Sequence, residues 1–302
     1  MIATDAYELA TAGVALVHRS ERAKLLITGA GAAEFLQGQL TNDVESLAPG
    51  EGCYAAFLNP KGKLRADVRV LRLDDGLWLD AEGYAKQVVD WVVDSFSVGL
   101  EVGREDLTQE RALLSLIGPG SRQALDVEPA PVEHAHVGGE HGIYVATDLG
   151  VDVICAGAHA DGVRAALGVE AVPHEVAEVL RVESGRPRLG LDMDGGTILQ
   201  EAGLNERAVS FTKGCYVGQE TVARLHYRGK PNRHLRGLRL SEPAEHGAPI
   251  LLGEREVGQV GSAAASPARG PIALGLVRRE AGPGDTVSVC GAPAEVVELP
   301  FA

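Results

Sequence analysis

The sequence predicts an α+β fold closed by a small all-β unit, and three observations carry that expectation. Strand patterns of period 2 are interspersed with separate amphipathic helices over the first 234 residues. The strands fall in hairpin-like groups rather than in a regular βαβ repeat. The last 68 residues, 235–302, hold six short apolar runs broken by Gly and Pro, the texture of an antiparallel β-barrel. Residues 1–234 are expected to divide into two subdomains, with a proline-bearing connection near 127–134.

In chain order, Val14–Val17 and Leu25–Ile27 flank the charged turn Arg19–Lys24 and read as a hairpin or as consecutive strands. A helix over Ala32–Gln39 follows the turn Gly29-Ala30-Gly31. That turn lacks the third glycine of a dinucleotide fingerprint, because Glu34 stands in its place, and a carboxylate there would repel a pyrophosphate. After Asn59-Pro60-Lys61-Gly62, the apolar Leu64, Ala66, Val68 and Val70 alternate with Lys63, Arg65, Asp67 and Arg69. This is a strand with one polar face, and Asp67 lies on it. Apolar residues at helical spacing predict a helix over 84–96, with strands near Leu113–Ile117, Ile143–Ala146 and Val151–Cys155. Another helix is expected over Pro173–Ser184. The barrel strands are Leu238–Leu240, Pro249–Leu252, Val257–Val260, Ile272–Val277, Thr286–Val289 and Glu295–Leu299.

Composition narrows the function. With 28 Lys+Arg against 42 Asp+Glu, a net charge of -14 repels nucleic acid and anionic lipid, so neither is an expected partner. The longest stretch free of acids and bases, Val257–Ala268, is far below the roughly 18–20 apolar residues of a membrane span. Asp5 and Glu8 occupy the place where a secretory signal carries positive charge, which favours a cytoplasmic location. Cys53, Cys155, Cys215 and Cys290 are too far apart for a disulfide framework or a metal finger. His134, His136, Glu140 and His141 are interrupted by Gly138 and Gly139 and read as a solvated loop, so no metal site is assigned.

Two features single themselves out. Glu183 shares a helix face with Val176, Val179 and Leu180, which aims a carboxylate inward. Such a group must meet an arginine such as Arg181 or Arg186, backbone donors, or a ligand rich in N–H groups. The string Lys213-Gly214-Cys215-Tyr216-Val217-Gly218-Gln219-Glu220 places Cys215 beside a lysine and near the start of a helix over Thr221–Leu225. Both features favour a thiolate. From Lys213 to Arg239 seven bases face only Glu220, a local charge of +6 that suits a ligand with several carboxylates. RNA is the rival, but Tyr216 and Tyr227 are thin aromatic support for base stacking.

The KGCYxGQE string resembles the signature of the folate-binding YgfZ family, relatives of the glycine-cleavage T-protein aminomethyltransferases. The likeness extends to Phe35-Leu36-Gln37-Gly38 with Thr41-Asn42-Asp43, the Asn59–Gly62 turn, Arg181-Val182-Glu183-Ser184-Gly185, and Arg228-Gly229-Lys230-Pro231. It implies T-protein-like folate-binding modules around a central cavity, a tetrahydrofolate or substituted folate as cofactor, and Glu183, Asn42, Asp67 and Arg228 as folate-binding residues. It further implies a role in iron-sulfur cluster assembly or repair, with iron-sulfur proteins or their assembly machinery, tRNA-modifying enzymes among them, as partners. Cys215 is then the reactive group within Lys213, Gly214, Tyr216, Gly218, Gln219 and Glu220, and its role as nucleophile, redox group or cluster ligand stays open. The transferases carry paired aspartates where Ala66-Asp67 stands, which puts aminomethyl transfer, the alternative activity, in question.

Overall fold

The computed structural model describes residues 4–301. The chain runs through α1 (Thr4–Ala12), β1 (Ala15–His18), β2 (Ala23–Thr28), α2 (Ala32–Gln39), β3 (Gly52–Leu58), β4 (Leu64–Arg72), β5 (Leu77–Ala81), α3 (Ala85–Phe96) and β6 (Gly103–Asp106). It continues through β7 (Arg111–Ile117), β8 (His136–Gly139), β9 (Gly142–Ala146), β10 (Gly150–Ala156), α4 (Ala160–Leu167), α5 (His174–Glu183), α6 (Asn205–Ala208) and α7 (Gln219–Arg228). The remaining strands are β11 (Arg233–Leu240), β12 (Pro249–Leu252), β13 (Arg255–Ser266), β14 (Gly270–Arg278), β15 (Thr286–Val289) and β16 (Ala292–Val297).

Two five-stranded antiparallel sheets build the larger part, ordered β3-β4-β5-β2-β6 and β1-β7-β10-β9-β8. The hairpin option for Val14–Ile27 is therefore overturned, because β1 pairs with β7 and β2 pairs with β5 and β6. The charged turn between them carries the chain from one sheet to the other. Residues 127–134 join β7 to β8 within one sheet. The second passage between sheets lies at 107–110. The Gly29 turn does serve as a strand-to-helix bend: Gly29 has φ +101°, and a Cβ there would stand 2.1 Å from the Glu101 carbonyl oxygen.

The polar alternation of β4 has an informative outcome. Its apolar residues Ala66, Val68 and Val70 enter the core with α2 and α3. On its other face Arg69 is buried too. Arg65 on this face is exposed, whereas Asp67 and Arg69 meet a cavity between the two sheets, so for those two the period-2 signal reported polarity and not exposure.

Six strands close into the C-terminal barrel in the order β11-β14-β13-β12-β15-β16, with β16 returning to β11. The barrel braces α5: Arg181 donates to Ser262 Oγ at 2.6 Å, and buried Asp192 receives both Arg181 and the Ser262 amide. Among the described residues, no helix is long and apolar enough to cross a membrane.

Candidate functional site: a charged cavity and an exposed thiol

A cavity, partly open to solvent, lies between the two sheets and α5. Seven arginines and seven carboxylates line it. Arg69 crosses the gap, donating to Asp80 of its own sheet and to Asp152 of the other, each at 2.6 Å, and Asp152 also receives Ser115 Oγ. Burial alone would raise Asp80, but Arg69 and Arg22 hold its pKa at about 2. Arg22 and Arg188 share Glu82, Arg188 and Arg181 share Glu178, and Arg186 and Arg207 share Glu133. Such a network is costly to desolvate and is held only because nearly every charge has a partner.

Asp67 is the carboxylate outside this network. Tyr54 Oη donates to its Oδ2, while Oδ1 is buried without a partner among the described residues. Burial raises the Asp67 pKa, and the Tyr54 hydroxyl opposes that shift. Arg207 lies over the Tyr54 ring, 5.0 Å from its centroid. The arrangement offers one free acceptor to a ligand N–H group in a site largely removed from water. His134, with φ +71°, also lines the cavity. Burial pushes its pKa down to about 4, so it is neutral near pH 7, and its Nδ1 has no partner among the described residues. This corrects the solvated-loop reading of Glu133–His141: Glu133 and His134 belong to the cavity wall, and His136 opens β8.

The predicted ligand residues are placed unequally. Asp67 lines the cavity. Asn42 does not, yet its Nδ2 donates to the carbonyls of Tyr54 and Arg207, which do. Glu183 lies off the cavity wall. Its carboxylate receives the Tyr7 hydroxyl at 3.0 Å and the Ser266 hydroxyl, a site between α1 and the barrel and outside the cavity wall. The inward carboxylate found protein hydroxyls, and it is Glu178, five residues earlier on α5, that faces the cavity. Arg228 ends α7 exposed and also lies off the cavity wall.

Cys215 is exposed, in a loop four residues before α7 begins at Gln219. Lys213 is not its activating neighbour. The Lys213 ammonium donates to the carbonyls of Gln37, Leu40 and Asn42 at 2.6–2.8 Å, capping the end of α2. Burial lowers its pKa to about 8, while three carbonyl acceptors favour the charged form. Tyr216 is buried against Leu58 and Val222. Gly218, at φ +84°, lies against the Asn59–Gly62 turn, where a Cβ would meet the Asn59 carbonyl oxygen at 2.6 Å. Lys213, Tyr216 and Gly218 thus anchor the loop, and Gly214, Cys215 and Glu220 are presented to solvent.

Comparison with known proteins follows this architecture. Residues 3–134 match the GCVT N-terminal domain, and residues 233–302 match the glycine cleavage T-protein C-terminal barrel domain. The chain belongs to the glycine-cleavage T-protein family. An aminomethyltransferase of Halothermothrix orenii is 29% identical over 93% of this chain and 86% of its own length. The tRNA-modifying protein YgfZ of Colwellia psychrerythraea is 27% identical over 73% of this chain and 70% of its own. The crystal structure of glycine cleavage system aminomethyltransferase T from Bartonella henselae has the same fold, with a TM-score of 0.88 over 99% of this chain and 89% of that one, at 23% identity.

For this T-protein family member, the structure also revises one inference from sequence. Ala66 and Asp67 point to opposite faces of β4, with Ala66 in the apolar core. An acid at position 66 would not reach the cavity, so Ala66 is no argument against chemistry at Asp67. Sequence reasoning missed Tyr54, Arg19, Glu133 and Arg207. The only signal within reach was the repeated charge on the polar face of β4, which marked Arg69 along with Asp67.

Proposed function

We propose that this chain is a tetrahydrofolate-binding protein of the YgfZ branch of its family, supporting iron-sulfur cluster assembly or repair in the cytoplasm through Cys215. Residues 1–234 are read as the folate-binding region and 235–302 as the barrel that supports it. The observation that carries the reading is a division of labour. A free buried acceptor, Asp67 Oδ1, awaits an N–H group in the cavity, while an anchored loop with the complete KGCYxGQE string presents its thiol to solvent elsewhere.

Tetrahydrofolate fits this donor set. Its pterin edge is rich in N–H groups, and the cavity supplies Asp67, with Tyr54 fixing the carboxylate and Arg207 covering the Tyr54 ring. When bound, a tetrahydrofolate supplies a nitrogen that accepts one-carbon groups. Asp67 would orient the ring and take or return a proton at Oδ1. Asn42 acts as a positioning residue through the two carbonyls it holds. Glycine-cleavage transfer is the alternative, favoured by the placement of Asp67 itself. Folate turnover with an amine donor would select it.

The test is a deletion strain carrying variants of this chain. Cys215→Ala is expected to retain tetrahydrofolate binding and fold, yet to lose support of iron-sulfur enzymes. Full rescue by Cys215→Ala would remove the thiol from the function.

A further inference from the structure

The cavity network leaves one cation as conspicuously alone as Asp67. Six of the seven lining arginines form ion pairs with carboxylates. The seventh, Arg19, follows β1 in the turn that carries the chain between sheets, and its guanidinium makes no hydrogen bond or ion pair among the described residues. Its Nε is buried without a partner. Of the acids whose charge acts on it, Asp152 is taken by Arg69 and Ser115, Glu82 by Arg22 and Arg188, and Glu21 is exposed and makes no ion pair with it. Arg69 Nη2, on the guanidinium that grips Asp152, is also buried and unpartnered.

Arg19 is half-buried, and a buried guanidinium Nε–H with no acceptor is costly unless something receives it. We infer that Arg19, with Arg69 Nη2 beside Asp152, forms an oxygen-acceptor subsite of the cavity, separate in chemistry from the N–H-accepting Asp67. The subsite takes a carboxylate or a ring carbonyl of the ligand. The inference rests on the reading of the cavity as a ligand site and deepens it. The ligand must offer a donor edge to Asp67 and an acceptor oxygen to Arg19. Tetrahydrofolate offers both kinds of acceptor, the pterin carbonyl and the carboxylates of its glutamate. The second source takes up the role that sequence gave to Arg228.

The test combines binding and stability on the full chain. Calorimetric titration with tetrahydrofolate is expected to give at least tenfold weaker binding for Arg19→Gln than for wild type, with Arg19→Lys between them. The fragments 6-methyltetrahydropterin and p-aminobenzoylglutamate separate the sources, because only the fragment that meets Arg19 loses affinity in the variant. Equal tetrahydrofolate affinity in Arg19→Gln and wild type overturns the subsite. The unliganded protein provides a readout independent of folate. If Arg19 is an uncompensated charge awaiting a ligand, Arg19→Met raises the melting temperature of the unliganded chain by a few degrees. If Arg19 is structural, the melting temperature falls and the inference fails. Should wild type bind no tetrahydrofolate, the folate reading fails, and the direction of the Arg19→Met shift still decides whether an acceptor subsite exists.

Discussion

At the scale of single residues, the informative groups are those whose needs the protein leaves unmet. Asp67 was legible because a strand of period 2 put it on a polar face, whereas Tyr54, which donates to it, lies on a neighbouring strand that only the register brings alongside. Glu183 shows the converse. Helical spacing correctly aimed it inward, but spacing carries no information on which partner waits there, and Tyr7 lies 176 residues away. His134 gives a prediction in pH. Its folded pKa of about 4 lies below the usual value of 6.5, so between those limits the unfolded chain binds more protons. Its contribution to stability is fully present above about pH 6.5 and is lost as pH falls toward 4, by up to about 3 kcal/mol. Chemical denaturation at about pH 7.5 and about pH 4.5 should therefore show a smaller pH dependence for His134→Gln than for wild type. An unchanged difference would mean that the imidazole titrates normally in the fold.

At the scale of elements, most of the secondary structure could be read, and the pairing could not. The helices Ala32–Gln39, Ala85–Phe96 and His174–Glu183 and the six barrel runs follow from local periodicity. The assignment of β1 and β2 to different sheets is set by contacts with β5, β6 and β7, far along the chain. The loop before α7 shows how a motif mixes two duties. Lys213 caps α2, Tyr216 fills a core, and Gly218 presses on the Asn59–Gly62 turn, so two sequence signatures form one contact. At Gly214, by contrast, an added Cβ would meet nothing within 4 Å, and the backbone there has no need of a positive φ. Gly218→Ala should accordingly cost about 2 kcal/mol or more in urea denaturation, from strain at positive φ plus the clash. Gly214→Ala should leave stability unchanged within about 0.5 kcal/mol. If it nonetheless abolishes function, Gly214 serves the approach of a partner to Cys215. Equal destabilisation by both substitutions would contradict this division.

At the scale of the whole molecule, the two sheets and α5 enclose a charged cavity, and the barrel holds α5 from behind through Asp192, Ser262 and Arg181. The chain's surplus of acid does not set the chemistry of this cavity, where arginines and carboxylates are equal in number. The cavity and the thiol are separate, since no residue from Lys213 to Glu220 lines the cavity. The account therefore requires that ligand binding and thiol function fail independently. Calorimetric titration of tetrahydrofolate into wild type, Asp67→Asn and Cys215→Ala tests this most directly. Wild type and Cys215→Ala are expected to bind with equal affinity, and Asp67→Asn at least tenfold more weakly. Unimpaired binding by Asp67→Asn, or binding lost with Cys215→Ala, would contradict it.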